Sequence, residues 1–111
     1  MFGHSLGGHL AIVAAINNSQ NIAAAAIHAG ALKIYSPLSR LKPGRKTPIL
    51  LINGEDDSAV PLNKVEKSAE ILDANGHETS LIVINDHNHW YYDIADFIND
   101  EAWDFLKGFK L

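Results

Sequence analysis

MFGHSLGGHLA, residues 1–11, is the stretch on which the fold turns. Within it Gly3-His4-Ser5-Leu6-Gly7 fits G-x-S-x-G, a pattern that sets a serine on a sharp turn from a strand into a helix. Such a turn needs small neighbours on both sides of the serine, which Gly3 and Gly7 supply. Gly8 would then let the helix pack closely on the sheet. The helix N-terminus that follows offers unpaired N–H groups, which favour a developing oxyanion. Ser5 is therefore a candidate nucleophile. The plain alternative is a helix N-cap, a place serine commonly fills.

Outward from this turn, LGGHLAIVAAINN reads as a helix that begins just after Ser5 and stops at the Asn-Asn-Ser cluster. IAAAAIHAG is open to two readings: alanine favours helix, but its brevity between Asn21 and Gly30 fits a buried strand. SPLSRLKPGRKTP carries three prolines and a glycine and is a loop. PILLIN, ended by Gly54, suits a strand buried on both faces. Leu62, Val65, Ala69 and Leu72 recur at helical spacing, with Gly76 placed as a helix-ending glycine. TSLIVIN is a second buried strand. Ile94, Phe97, Ile98, Phe105, Leu106 and Phe109 line one side of a closing helix, with Trp103 alongside. Strands alternating with helices imply an α/β fold with a parallel sheet between helical layers. Three strands are legible, too few for a parallel sheet to stand alone with its edges open.

The composition narrows the classes. One domain is the most that 111 residues allow, and 47% apolar with 20% charged residues is ordinary for a globular chain. A net charge of −4 leaves no basic footprint for nucleic acid. The longest apolar runs fall short of the roughly 20 residues that span a bilayer. Without cysteine there is no disulfide, thiol chemistry or cysteine metal site. The first residues lack the charged and apolar regions of a signal peptide, and the compartment stays open.

A serine nucleophile needs a base, and the base an orienting acid. After PILLIN comes Gly-Glu-Asp-Asp, with Glu55, Asp56 and Asp57 as candidate acids, or simply as charges on a turn. After TSLIVIN comes Asp-His-Asn-His, with His87 and His89 as candidate bases. That pair could instead ligate a metal, but no further ligand follows at suitable spacing. His28 could border the pocket or be packed. His4 reads as structural, and His9 and His77 as surface or packing residues.

With serine, acid and histidine in this order, the chain resembles the C-terminal half of an α/β-hydrolase. The likeness is nearest to the esterase branch of polyhydroxybutyrate-depolymerase-like, feruloyl-esterase-like and S-formylglutathione-hydrolase-like proteins. GHSLGGHLA matches the nucleophile elbow, PILLINGEDDSAVPL the strand and acid turn, and HNHWYYDIADFINDEAWDFL the histidine with its aromatic run. The resemblance implies Ser5 as nucleophile, Asp57 rather than Asp56 as acid, and His89 as base, with His87 the fallback. It implies the backbone N–H of Leu6 as an oxyanion donor. It also implies a three-layer fold that hydrolyses small or polymeric carboxylic esters through an acyl-enzyme. No metal or organic cofactor is called for, and neither nucleic acid nor a membrane is an expected partner. A prolyl-oligopeptidase-like peptidase and a non-catalytic remnant are the alternatives. The family has several strands before the elbow, whereas only Met1 and Phe2 precede Gly3 here. Residues 1–111 are thus expected to be a partial domain, truncated before the elbow, loosely supported at Ser5 and impaired in turnover.

Overall fold

The computed structural model describes residues 1–33 and 44–111. Its strands are β1 (Phe2–His4), β2 (Ala25–His28), β3 (Ile49–Gly54) and β4 (Thr79–Ile84), and its helices α1 (Leu6–Asn17), α2 (Leu62–Ala74) and α3 (Ala95–Leu106). A 3₁₀ turn, Tyr92–Ile94, leads into α3. The four strands form one parallel sheet in the order β1-β2-β3-β4. Three of them had been legible. The fourth, β1, is only three residues long, too short to show a period of its own, and pairs with β2 through His4 opposite His28. The turn at Ser5 therefore has a strand on its N-terminal side, contrary to the expectation of an unsupported elbow.

Successive strand residues point to opposite faces, and the core divides accordingly. Ala25, Ile27, Ile49 and Leu51 face α1 and α2, meeting Ala11, Ile12, Ile16, Val65 and Leu72. Ala26, Leu50 and Ile52 face α3, meeting Ile98 and Ala102. Helices on both faces make three layers. The alanine-rich segment becomes strand because both its sides are covered: Ala25, Ala26, Ile27 and His28 are all buried. β3 is buried along its whole length, as its unbroken apolar run requires.

Two expectations are corrected. β4 is not buried on both faces: it lies at the sheet edge, and Val83 is 42% exposed. A short apolar run looks the same at an edge as in the middle of a sheet. On α3, Phe97 faces solvent along with Trp103, while Ile98 and Ala102 carry the contact.

Local chemistry ends the elements where it should. Gly76, at φ +92°, follows α2, and the His77 N–H bonds back to the Leu72 carbonyl at 3.0 Å, a left-handed cap. Of the proline-rich stretch, residues 36–43 lie outside those described. Its last residues run without regular structure into β3, where Arg45 donates to the carbonyls of Ser19, Ile22 and Ala23 and Thr47 donates to that of Ala15. Among the described residues no helix is long and apolar enough to cross a membrane.

Candidate active site

All four strands run the same way, so their C-terminal ends share one edge of the molecule, and the polar residues gather there. Ser5 follows β1 with φ 56° and ψ −121°, a backbone conformation that costs a non-glycine residue of order 1–3 kcal/mol. Its N–H bonds the His28 carbonyl at 3.0 Å, and its own carbonyl accepts from the N–H groups of Gly8 and His9. Ser5 stands at the N-cap position of α1, as its plain reading has it, but its side chain makes no capping bond. The other two described non-glycine residues at positive φ, Ala29 and Asp86, lie beyond β2 and β4. Strain in the described chain is thus concentrated at this edge.

Glycine is required at two points of the turn. A Cβ on Gly3 would stand 2.4 Å from the Gly7 carbonyl oxygen, and one on Gly8 would stand 2.8 Å from Ile27 Cγ2 and 3.1 Å from Gly30 Cα. Gly7 differs from expectation. A Cβ there would meet nothing within 4 Å, because it is the carbonyl of this residue, not its side, that the turn presses on.

Ser5 Oγ lies 2.8 Å from His89 Nε2, and His89 Nδ1 lies 2.7 Å from Asp57 Oδ2. The Asp57 side chain is fully buried, while that of His89 is 31% exposed. The second carboxylate oxygen, Oδ1, accepts from the N–H groups of Ala59 and Val60 at 2.9 and 2.8 Å. Such bonds fix the carboxylate in one orientation. A carboxylate only accepts, so His89 donates to it from Nδ1, and Nε2 is left to accept from the serine hydroxyl. Glu55 and Asp56, the other candidate acids, are exposed. They serve through their backbones, Glu55 N–H bonding the Ile84 carbonyl and Asp56 N–H that of His87. Leu6 opens α1, so its N–H is one of the helix donors without a helical acceptor.

His87 does not reach Ser5. Its Nε2 lies 3.0 Å from His28 Nε2, and His28 Nδ1 lies 2.9 Å from His4 Nδ1. Burial drives all three rings below the usual histidine range, His28 furthest, to about 4. Sequence reasoning left His4 as structural and His28 open, and missed that they meet. The signal lay in strand register, since both end adjacent parallel strands. His9 and His77, read as surface or packing residues, are buried. His77 Nδ1 donates to the Thr47 carbonyl, and His9 Nδ1 lies 3.2 Å from the Ala31 carbonyl. No group of three His, Asp or Glu side chains among the described residues is arranged to hold a metal ion.

A cleft of about 760 Å³ opens from Ser5, walled by apolar side chains such as Leu6, Leu32 and Val60 and by Lys64 and Lys67 from α2. Ser5 thus lies on the wall of a partly apolar cleft, the kind of setting in which small molecules bind.

The protein family described as phospholipase/carboxylesterase matches residues 1–100. No curated protein sequence matches the chain. Among solved structures the chain is similar to esterase PE8, with TM-score 0.79 and 22% identity over 98% of this chain and 49% of that one. It is similar to acyl-protein thioesterase 2 of Zea mays, with TM-score 0.74 and 20% identity over 96% of this chain and 54% of that one. It is also similar to dienelactone hydrolase from Anabaena variabilis ATCC 29413, with TM-score 0.69 and 24% identity over 95% and 48%. At these identities the likeness is one of fold. The chain spans about half the length of these solved structures.

Proposed function

The chain belongs to the phospholipase/carboxylesterase family of α/β-hydrolases, and from that premise we propose that it carries the reacting residues of a serine hydrolase of carboxylic esters. The observation behind this reading is the unbroken series Ser5 Oγ, His89 and Asp57, joined at 2.8 and 2.7 Å. Ser5 attacks the ester carbonyl while His89 Nε2 takes its proton. The same nitrogen returns that proton to the departing alcohol. Water, deprotonated by His89, then releases the acid from the acyl-enzyme.

Asp57 keeps the imidazole in the tautomer that leaves Nε2 free, and its charge stabilises the imidazolium that forms. The Leu6 N–H, at the positive end of α1, is one donor for the oxyanion. The apolar wall of the cleft beside Ser5, formed by Leu6, Leu32 and Val60, suits an apolar acyl or alcohol group next to the ester.

The test is hydrolysis of short-chain p-nitrophenyl esters by the protein and by its Ser5→Ala and His89→Ala variants. Each substitution is expected to lower kcat by several orders of magnitude, because the three residues act as a unit. Turnover that persists in Ser5→Ala would remove the proposal.

A further inference from the structure

The proposed mechanism leaves one group of buried side chains unused. His28 is wholly buried at the end of β2, and both its ring nitrogens are engaged, Nδ1 with His4 and Nε2 with His87. The His4 ring in turn lies against His89, with centroids 5.2 Å apart and planes 34° from parallel. His87 is two residues before His89 in the same loop. His28 thus bears on the base from two directions, through the ring beneath it and through the chain that carries it.

We propose that His28 is a positioning residue for the base, tying His4 and His87 into one chain of imidazole hydrogen bonds that fixes the plane in which His89 meets Ser5. This rests on the reading of Ser5, His89 and Asp57 as the reacting groups.

Proton counting shows why a histidine is needed. A neutral imidazole has one N–H and one bare nitrogen. In the middle of the chain, His28 must donate at one end and accept at the other. Only two neutral arrangements exist. In one, His4 Nδ1–H donates to His28 Nδ1 and His28 Nε2–H donates to His87 Nε2. In the other, His87 Nε2–H donates to His28 Nε2 and His28 Nδ1–H donates to His4 Nδ1. The three tautomers change together or not at all. No amide or hydroxyl side chain reaches two partners on opposite sides of a ring-sized space in this way.

The surroundings favour the uncharged chain. His28 is faced by His4 on β1, by His87 and His89 after β4, and by the Asp57 carboxylate after β3, with the Tyr91 ring 5.9 Å away. His87 is faced by Asp57, Asp93 and His89. The carboxylates favour a charged ring, but burial outweighs them and all three rings are held neutral near pH 7. The benefit to the reaction is direct. When His89 takes the serine proton it becomes an imidazolium, and a neutral ring against its face leaves that charge unopposed.

The experiment combines turnover with histidine NMR on the whole protein. His28→Phe keeps a ring of similar size but supplies no nitrogen. It is expected to lower kcat roughly ten- to hundredfold through misplacement of the base, with KM within about twofold of wild type. In ¹⁵N-histidine spectra, His4, His28 and His87 are expected to show one concerted tautomer set near pH 7, and His28 is expected to stay neutral as the pH falls to 6. In the variant, His4 and His87 lose their bonded-nitrogen signatures. A wild-type kcat in folded His28→Phe would overturn the proposal, and so would His4, His28 and His87 titrating independently at the ordinary histidine value. The spectra of the wild-type protein decide the matter if the variant does not fold. Ser5→Ala separates the two levels: if it keeps turnover, the proposed function fails, whereas if it is inactive and His28→Phe is not impaired, only the role of His28 fails.

Discussion

Acidification is expected to destabilise this fold through its histidines, and His28 gives the magnitude. Five of the six histidines, His4, His9, His28, His77 and His87, have their pKa lowered in the folded chain, in each case with burial as the largest cause. In the unfolded chain each takes up a proton below roughly pH 6.5. The folded chain resists, so the unfolded state binds more protons and stability rises with pH. This contribution is complete above the unfolded value, shrinks as the pH falls, and levels off below the folded value, about 4 for His28. The gap between those two values makes His28 alone worth on the order of 3 kcal/mol. Domains of this kind are stable by about 5–15 kcal/mol in all. The assay is urea unfolding followed by tryptophan fluorescence from pH 7 down to pH 4, for wild type and His28→Phe. The variant is weaker at pH 7, since His4 and His87 each lose a partner, so only the change with pH carries the comparison. His28 is not among the charges that lower His4 or His87, whose own contributions therefore remain. Across this range the variant is expected to lose on the order of 3 kcal/mol less than wild type. Equal losses in the two proteins, or a wild type that gains stability in acid, would refute the reasoning.

Asp57→Asn leaves the fold in place but favours the wrong tautomer of His89, and kcat is expected to fall by about 10⁴. Asp56→Asn, at an exposed residue that works through its backbone, is expected to stay close to wild type in initial rates. Gly8→Ala drives a methyl into Ile27 and the Gly30 backbone and is expected to cost about 1–3 kcal/mol in urea unfolding. Gly7→Ala meets open space and is expected to be neutral or to stabilise by up to about 1 kcal/mol.

The parts of the fold legible in the sequence were those with a local cause. PILLIN announced a central strand because a strand covered on both faces has no polar side to alternate. The spacing of Leu62, Val65, Ala69 and Leu72 with Gly76 behind them announced α2 and its end. The alanine-rich segment stayed ambiguous, because alanine carries no strand preference and only its cover by helices on both faces decides. Phe2–His4 was missed as a strand since three residues cannot show a period; pairing with Ala26, Ile27 and His28 defines it. The edge position of β4 was invisible for a related reason, because a sequence does not say which strand has a neighbour on one side only.

The candidate site divides in the same way. Serine, carboxylate and histidine could be found by order, each beyond a recognisable turn or strand. Choosing Asp57 over Asp56 and His89 over His87 came from resemblance. In the structure His89 meets Ser5 and Asp57 meets His89, while His87 turns inward to His28. The chain of His4, His28 and His87 joins residues 24 and 59 positions apart. Spacing carries no trace of it, and it follows only from the register of the parallel strands and the fold-back of the loop after β4.

The central claim is that Ser5 is a nucleophile activated by His89, and serine-directed labelling tests it without knowledge of the natural ester. The protein is treated with a fluorophosphonate, and the modified residue is located by peptide mass spectrometry. One adduct is expected, on Ser5, absent in Ser5→Ala and formed far more slowly in His89→Ala. A protein that takes no label, or whose label survives in Ser5→Ala, would contradict the account.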